Sequence, residues 1–134
     1  MDWEHHILAN HIRYRERVST VSSLQATLSR AFLNNAVFQN DPDVFILRKE
    51  GNKLTKTQKE TLFRVNQILG NLLFTSDNID NYDEEMMALY MSQFPQQARS
   101  VLSVEQVGLV YTIQYIEQGV SKTLVVNLEE GQME

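Results

Sequence analysis

The stretch from residue 37 to residue 48 constrains the fold most, because a rigid turn inside it joins two β-forming residues to an apolar run. Pro42 fixes its own backbone and disfavours helical conformation in Asp41, the residue before it. The apolar residues 44–47 follow at once. The sequence therefore predicts that Asp41 and Asp43 lie at the end of a strand, where α/β barrels place their chemistry. On local spacing alone, a turn whose aspartates hydrogen-bond their own backbone explains the same pattern.

Helical patterns lie on both sides of this stretch. Ser19 or Thr20 offers an N-cap for a helix that continues to Leu33, where apolar residues recur at helical spacing. A second helix begins at the Thr55–Gln58 segment, which fits a capping box, and we expect Gly70 to end it in the left-handed conformation.

Short apolar runs alternate with these helices. Residues 36–38 and 72–74 are each typical of a buried strand, and a third helix is expected from Asp83 to Phe94, before Pro95. Methionines on that helix are interpreted as core residues. The succession of helix, strand and loop predicts an α/β fold.

From residue 100 the period of the pattern changes from helical to alternating. Residues 109–116 and 123–128 form two predicted strands, with Gly119 in the turn between them. The glutamate-rich end, residues 129–134, is interpreted as a frayed terminus. The change of pattern places a boundary between two parts of the chain at residues 95–100.

The turn at residues 40–43 resembles the Asn-Asp-Pro-Asp segment of the α-galactosidase-type glycoside hydrolases, most closely family 36 and its relatives in the same clan. Three further segments resemble that family in the same order, so that the likeness covers roughly residues 12 to 80; they are Arg15–Thr20, Arg30–Asn35 and Leu72–Asp77. One position departs from the family. Gln39 stands where many relatives carry tryptophan, so an aromatic wall of the sugar site is missing or is supplied from elsewhere.

The resemblance implies a (β/α)8 TIM barrel, a fold that typically needs about 250 residues. With 134 residues, the chain is too short to close one. We therefore expect a partial barrel made of its last βα units over residues 1–95, the C-terminal portion of a catalytic domain. Residues 100–134 would begin a C-terminal β domain, as a hairpin taken from a β-sandwich.

The resemblance also implies where the catalytic groups lie. Retaining glycoside hydrolysis needs two carboxyl groups about 5 Å apart, and the family places its nucleophile on an earlier strand. The acid/base group would fall just before Met1, and Asp2 is interpreted as a residue flanking it. We therefore assign no catalytic residue to this chain and expect it to be inactive alone.

The substrate-binding residues implied by the resemblance are Asp43 and Val44. Asp43 matches the aspartate that lines the sugar subsite and hydrogen-bonds sugar hydroxyls, and Val44 matches the apolar residue beside it. Asp41 is expected to brace the turn. Asp77 is expected to make a loop or helix-capping bond, with a sugar contact as the lesser alternative. The expected partner is an α-galactoside substrate.

Composition excludes several other classes of function. The net charge of −5 argues against a nucleic-acid surface, since phosphate binding draws on clustered lysine and arginine. The chain has no cysteine, which fits a reducing compartment, and we expect a cytoplasmic location. No apolar run approaches the roughly 20 residues that span a bilayer, and residues 2–6 are too charged for a signal peptide. The adjacent His5 and His6 do not share a helix face, so neither a metal nor a cofactor is expected.

A second hypothesis comes from another class of protein. The chain would be a non-catalytic binding or self-association module built from a partial barrel. An incomplete barrel exposes strand edges and apolar helix faces, which favour a homo-oligomer or a partner chain.

Overall fold

The computed structural model describes residues 19–34, 36, 37, 39, 40, 42 and 44–134 of the chain. Its α-helices are α1 (Thr20–Ser29), α2 (Lys56–Leu69) and α3 (Glu84–Met91). Two short 3-10 helices span Ala31–Leu33 and Ile79–Asn81. The strands are β1 (Arg99–Val107), β2 (Val110–Glu117), β3 (Val120–Asn127) and β4 (Gln132–Met133).

The four strands form one antiparallel sheet in the order β1-β2-β3-β4. Its tight turns depend on glycine: Gly108 and Gly119 adopt φ angles of 62° and 77°, which disfavour side chains with a Cβ. Strand β1 carries a bulge between Val101 and Ser103. Alternate residues of β2 are buried, so the sheet turns one face toward the helices.

Helix α2 is the main element covering that face. The Thr61 hydroxyl donates to the carbonyl of Gly131 (3.1 Å), and Arg64 Nη2 donates to the Tyr115 hydroxyl (3.1 Å). A continuous hydrophobic core fills the space between helices and sheet; its fully buried members include Leu24, Leu28, Phe45, Phe63, Leu69, Tyr111, Ile113 and Val126. This core contains residues from both sides of residues 95–100, and the predicted division of the chain there stays a prediction.

The predicted partial (β/α)8 barrel is wrong. In the part of the chain that the structure describes, three α-helices accompany an open antiparallel sheet of four strands, and the barrel's parallel strand units do not form. Parallel pairing needs crossover connections, whereas consecutive strands joined by two-residue turns pair antiparallel at once. The expected hairpin agrees with strands β2 and β3.

The helix starts and the end of α2 at Gly70 are confirmed, whereas the predicted ends of α1 and α3 are wrong. Ser19 caps α1, Thr55 and Gln58 form the capping box of α2, and Asp83 caps α3. Helix α1 ends at Ser29 and α3 at Met91, both earlier than predicted. The methionines of α3 are half-buried or exposed, so they lie at the edge of the core rather than within it.

The short strands predicted before the two loops are wrong. Ala36 and Val37 form a turn, with both backbone amides donating to the carbonyl of Leu33. Residues 72–74 form no strand. Each run is too short to compete with the local turn, and among the described residues the second run makes only the backbone contact of Phe74 with Phe45, beside the single Phe45–Thr75 bridge.

The end of the chain is more ordered than predicted. Residues 129–134 were expected to fray, yet β4 pairs with β3, and Glu134 exchanges two backbone hydrogen bonds with Val125 (2.8 and 2.9 Å). Strand β1 was also not predicted, because its nine residues mix serine, glutamate and glutamine among the apolar positions.

Candidate functional site

The candidate site is the segment of residues 40–48, which is held at its C-terminal end by Asp77. The Asp77 carboxylate accepts hydrogen bonds from the backbone amides of Leu47 (2.6 Å) and Arg48 (3.0 Å). It also accepts from Arg48 Nη1 (2.6 Å) and the Tyr82 hydroxyl (2.8 Å). The Asp77 side chain is fully buried, so all its accepting capacity is directed into the protein.

These bonds decide the charge of the carboxylate. Burial alone raises the pKa of Asp77, but hydrogen bonds from the Leu47 amide, the Tyr82 hydroxyl and Arg48 outweigh burial and hold the pKa below its usual value. On the other side of the bond, burial and the neighbouring Asp77 raise the pKa of Tyr82 to about 12. Asp77 is therefore ionised and Tyr82 neutral at neutral pH.

A parallel contact brings residues 45 and 75 together beside this carboxylate. The Phe45 amide donates to the Phe74 carbonyl (2.9 Å), and the Thr75 hydroxyl donates to the Phe45 carbonyl (3.1 Å). Phe45 and Thr75 form a single parallel β-bridge. On the far side of the segment, Lys59 Nζ donates to the Arg48 carbonyl (2.7 Å), and burial lowers the pKa of Lys59.

Three asparagines hold the N-terminal end of the same segment. Asn34 Oδ1 accepts from the Asn40 amide (2.8 Å) and from Asn71 Nδ2 (3.2 Å), while Asn34 Nδ2 donates to the Leu69 carbonyl (3.2 Å). Asn40 Nδ2 donates to the Thr27 carbonyl in helix α1 (3.3 Å). The segment is thus anchored to helices α1 and α2 at one end and to the Asp77 loop at the other.

Gly70 allows the segment to approach the end of helix α2. A Cβ atom at this position would lie 2.6 Å from the Asn66 carbonyl oxygen and 3.0 Å from Cγ of Pro42. The φ angle of Gly70 is −86°, so the predicted left-handed conformation is wrong. Glycine is needed here for close packing, and Pro42 is buried beside it.

The two predicted substrate-binding residues have different outcomes. Asp43 lies outside the described residues, as do Asp41 and Asp2, so their assignments stay predictions. Val44 is half-buried and takes part in an interaction within the fold. Its predicted role beside the sugar stays a prediction.

Asp77, Asn34 and Asn71 are the residues whose importance sequence reasoning missed. Asp77 was expected to make a local or capping bond, yet it bridges segments 30 residues apart. The sequence signal was available in part, because both Asn34 and Asp77 lie in segments that carry the family likeness. The bonding partners of Asn34 and Asp77 could not be predicted from the sequence.

No protein-family model matches the chain, and no curated protein is significantly similar to it. Within the described residues, no group of three or more histidine, aspartate or glutamate side chains could hold a metal ion. His5, His6 and His11 lie outside those residues. Helices long and apolar enough to cross a bilayer are likewise absent from the described part of the chain.

Proposed function

We propose that this chain is a non-catalytic part of an α-galactosidase-like glycoside hydrolase, in which residues 40–48 form one wall of the subsite for a terminal α-galactosyl unit. One observation supports the proposal. Two segments that resemble the family hold residues 40–48 from distant positions in the sequence: Asn34 bonds to Asn40, and Asp77 bonds to Leu47 and Arg48. The proposal rests on these motifs and their contacts and requires no barrel.

The chemistry of the wall follows from how the segment is held. The described residues on either side of position 43 are held by side chains: Asn40 bonds to Asn34, and the amides of Leu47 and Arg48 bond to Asp77. A carboxylate on a fixed backbone accepts charge-assisted hydrogen bonds from sugar hydroxyls without first being ordered. In this proposal Asp43 accepts the sugar hydroxyls and Val44 supplies the apolar contact beside them.

The chain alone should not cleave a glycosidic bond, because the resemblance assigns both catalytic carboxyl groups to other positions. The test is release of nitrophenol from nitrophenyl α-galactoside by the purified chain, beside an active retaining α-galactosidase as the positive control. We expect no release above the buffer rate. Turnover that persists in the purified chain and is lost on Asp43→Asn would make Asp43 catalytic and overturn the assignment. A cytoplasmic location remains a prediction within this proposal.

A self-association module is the second candidate, and one feature of the surface favours it. Several large apolar side chains are more than half exposed; they include Phe32, Val37, Leu72, Phe94 and Leu102. Of these, Phe32 and Leu102 line one surface cavity, and contiguous exposed apolar surface is typical of interfaces between protein chains. In that role the chain would bind a second copy of itself through these residues. This candidate no longer includes a partial barrel, because the described strands form an open antiparallel sheet.

Sedimentation velocity over a range of concentrations separates the two candidates. A discrete dimer that dissociates on Phe32→Ser, but not on Ser76→Ala at an exposed polar position, supports self-association through the exposed apolar side chains. A monomer at all concentrations contradicts it and leaves the sugar-subsite proposal in place.

A further inference from the structure

Three cations surround a single carboxylate on strand β2. Glu117 accepts from Arg99 Nε at 2.6 Å and from the Lys122 ammonium, and Arg64 Nη2 lies 3.9 Å from its second oxygen. The Lys122 bond, opposed by burial and aided by Arg99, holds the pKa of Glu117 below its usual value, so the carboxylate is ionised at neutral pH. Two positive charges remain uncompensated within this cluster, in a chain whose net charge is −5.

A cavity of about 490 Å³ opens beside this cluster, where the end of helix α2 meets the start of strand β1. Its lining combines Arg99 with side-chain amides, and those amides belong to Asn34, Gln67, Asn71, Gln96 and Gln97. A volume of this size lies within the range that small-molecule sites occupy. The lining offers hydrogen-bond donors and carries no acidic side chain.

The Arg99 guanidinium has donors to spare. Its side chain is only 6% exposed, yet its bonds are one from Nε to Glu117 and two from Nη1 to the carbonyls of Gln67 (3.3 Å) and Gln97 (3.5 Å). A guanidinium carries five N–H donors, so both donors of Nη2 lack an acceptor among the described residues. Nη2 is not among the fully buried unpaired atoms, so its two donors remain open to an acceptor in the cavity that Arg99 lines.

Gln67 repeats this arrangement on the helix side of the cavity. Its Oε1 accepts from Arg64 Nη1 (2.8 Å), which turns the amide nitrogen away from Arg64. That nitrogen, Nε2, is buried and has no acceptor in the described part of the chain. Two side chains that line one cavity thus keep unused donors: the buried Nε2 of Gln67, and Nη2 of Arg99, whose side chain is 6% exposed.

From these observations we propose that the cavity is a binding site for a small oxyanion of the phosphate class, either free or carried on a small molecule. Arg99 Nη2 is the charged donor to the phosphate oxygens, and the amides of Gln67 and Gln96 complete the hydrogen bonds. A planar guanidinium suits phosphate because its parallel N–H groups match two oxygens. This proposal does not depend on the sugar-subsite proposal, since the residues 40–48 take no part in it.

The test is a titration of the isotope-labelled chain with sodium phosphate at constant ionic strength, followed by ¹H–¹⁵N correlation spectra. We expect saturable shifts of the Arg99 Nε–H and Gln67 side-chain amide signals. Galactose, a neutral polyol, should leave both signals unchanged. A phosphate ester that shifts the same signals at lower concentration than inorganic phosphate would identify the oxyanion as part of a larger ligand and support the site.

Three variants locate the binding. Arg99→Gln should weaken phosphate binding about tenfold or more, because it removes the charged donor. Because Arg99 also holds Glu117, a second variant avoids that contact: Gln96→Glu places a carboxylate at the exposed wall of the cavity and should weaken binding severalfold. Gln114→Glu makes the same change at an exposed position of β2 outside the cavity and should bind as the unmodified chain does.

Several results would overturn the proposal. Shifts that rise linearly without saturation would show a general ionic effect, and equal weakening by Gln96→Glu and Gln114→Glu would show attraction to the whole surface. A saturable response to galactose without one to phosphate would make the cavity a polyol site instead.

Discussion

The Asp77 carboxylate joins two segments that lie 30 residues apart through four hydrogen bonds from protein donors, three to Oδ2 and one to Oδ1. A buried carboxylate is stable only where such donors replace its water. Asp77 therefore acts as a structural anchor for residues 44–48 rather than as a group that meets a ligand.

Replacing Asp77 by asparagine tests this anchor. Asp77→Asn should lower the free energy of unfolding by about 3 kcal/mol at neutral pH, because it removes a buried charge and directs an amide at the donors of Leu47 and Arg48. Asp80→Asn, an exposed change three residues away, should cost less than about 0.5 kcal/mol. Urea unfolding followed by circular dichroism measures both, and equal losses would contradict the anchor.

The same carboxylate predicts a pH dependence with a defined sign. Because the pKa of Asp77 is lower in the folded state than in the unfolded state, its contribution is present above the unfolded pKa of about 4 and is lost as the pH falls through the folded pKa. The stability difference between the unmodified chain and Asp77→Asn should therefore shrink from about pH 5 downward. The pKa values of Glu117 and Asp83 are also lowered in the folded state. Their effect on stability is the same in both proteins, so it cancels when the stability of Asp77→Asn is subtracted from that of the unmodified chain. A difference that stays constant with pH would contradict the ionised anchor.

At the scale of elements, capping residues set where the three helices begin, and packing against Pro42 requires glycine where helix α2 ends. Ser19, Thr55 and Asp83 each cap a helix through a side-chain bond to a backbone amide. These bonds are local in sequence, so the pattern predicts them. Helix α2 instead ends at Gly70, where the approach of Pro42 leaves no room for a side chain, and that approach is not visible in the local sequence.

Two glycine substitutions separate packing from backbone conformation. Gly70→Ala should cost about 2–3 kcal/mol, because its Cβ would lie 2.6 Å from the Asn66 carbonyl oxygen although φ is unstrained. Gly108→Ala should cost only about 1–2 kcal/mol, because its surroundings are open and the cost comes from φ of +62° alone. Thermal or urea unfolding of both variants shows which substitution lowers the free energy of unfolding more. A Gly70→Ala variant as stable as the unmodified chain would show that the segment does not pack against the helix end.

At the scale of the molecule, the hairpin and the helix starts could be predicted and the architecture could not. The alternation in β2 and β3 and the glycine turn at residue 119 are local, and they specify a hairpin directly. The choice between parallel and antiparallel neighbours depends on which strands meet across the core, which no local period records. Phe45 and Thr75 meet in one parallel bridge, and the sheet forms instead from the four consecutive strands of residues 99–133. For the site, the motifs indicated the segments, and only the fold revealed that Asn34 and Asp77 hold them.

The shared core predicts that helices and sheet lose stability together. Ile113→Ala, at a fully buried position of β2, should cost about 2–5 kcal/mol and lower the amide protection of α2 as much as that of β3. Ile116→Ala, on the other face of the same strand and only half-buried, should cost much less. Hydrogen exchange measured by NMR gives the amide protection of α2 and of β3 in one sample. Loss of protection confined to the sheet would show that the two parts unfold independently.

The central claim, that residues 40–48 form a wall that contacts an α-galactosyl unit, is tested most directly by titrating the labelled chain with methyl α-galactoside. Methyl α-glucoside, which differs in one hydroxyl, serves as the matched ligand, and Asp43→Asn and Asp80→Asn as the matched variants. The account predicts saturable shifts of the Val44 and Phe45 amides with the galactoside, weaker shifts with the glucoside, loss in Asp43→Asn and no change in Asp80→Asn. Shifts that survive Asp43→Asn, or that fall elsewhere in the chain, would contradict it.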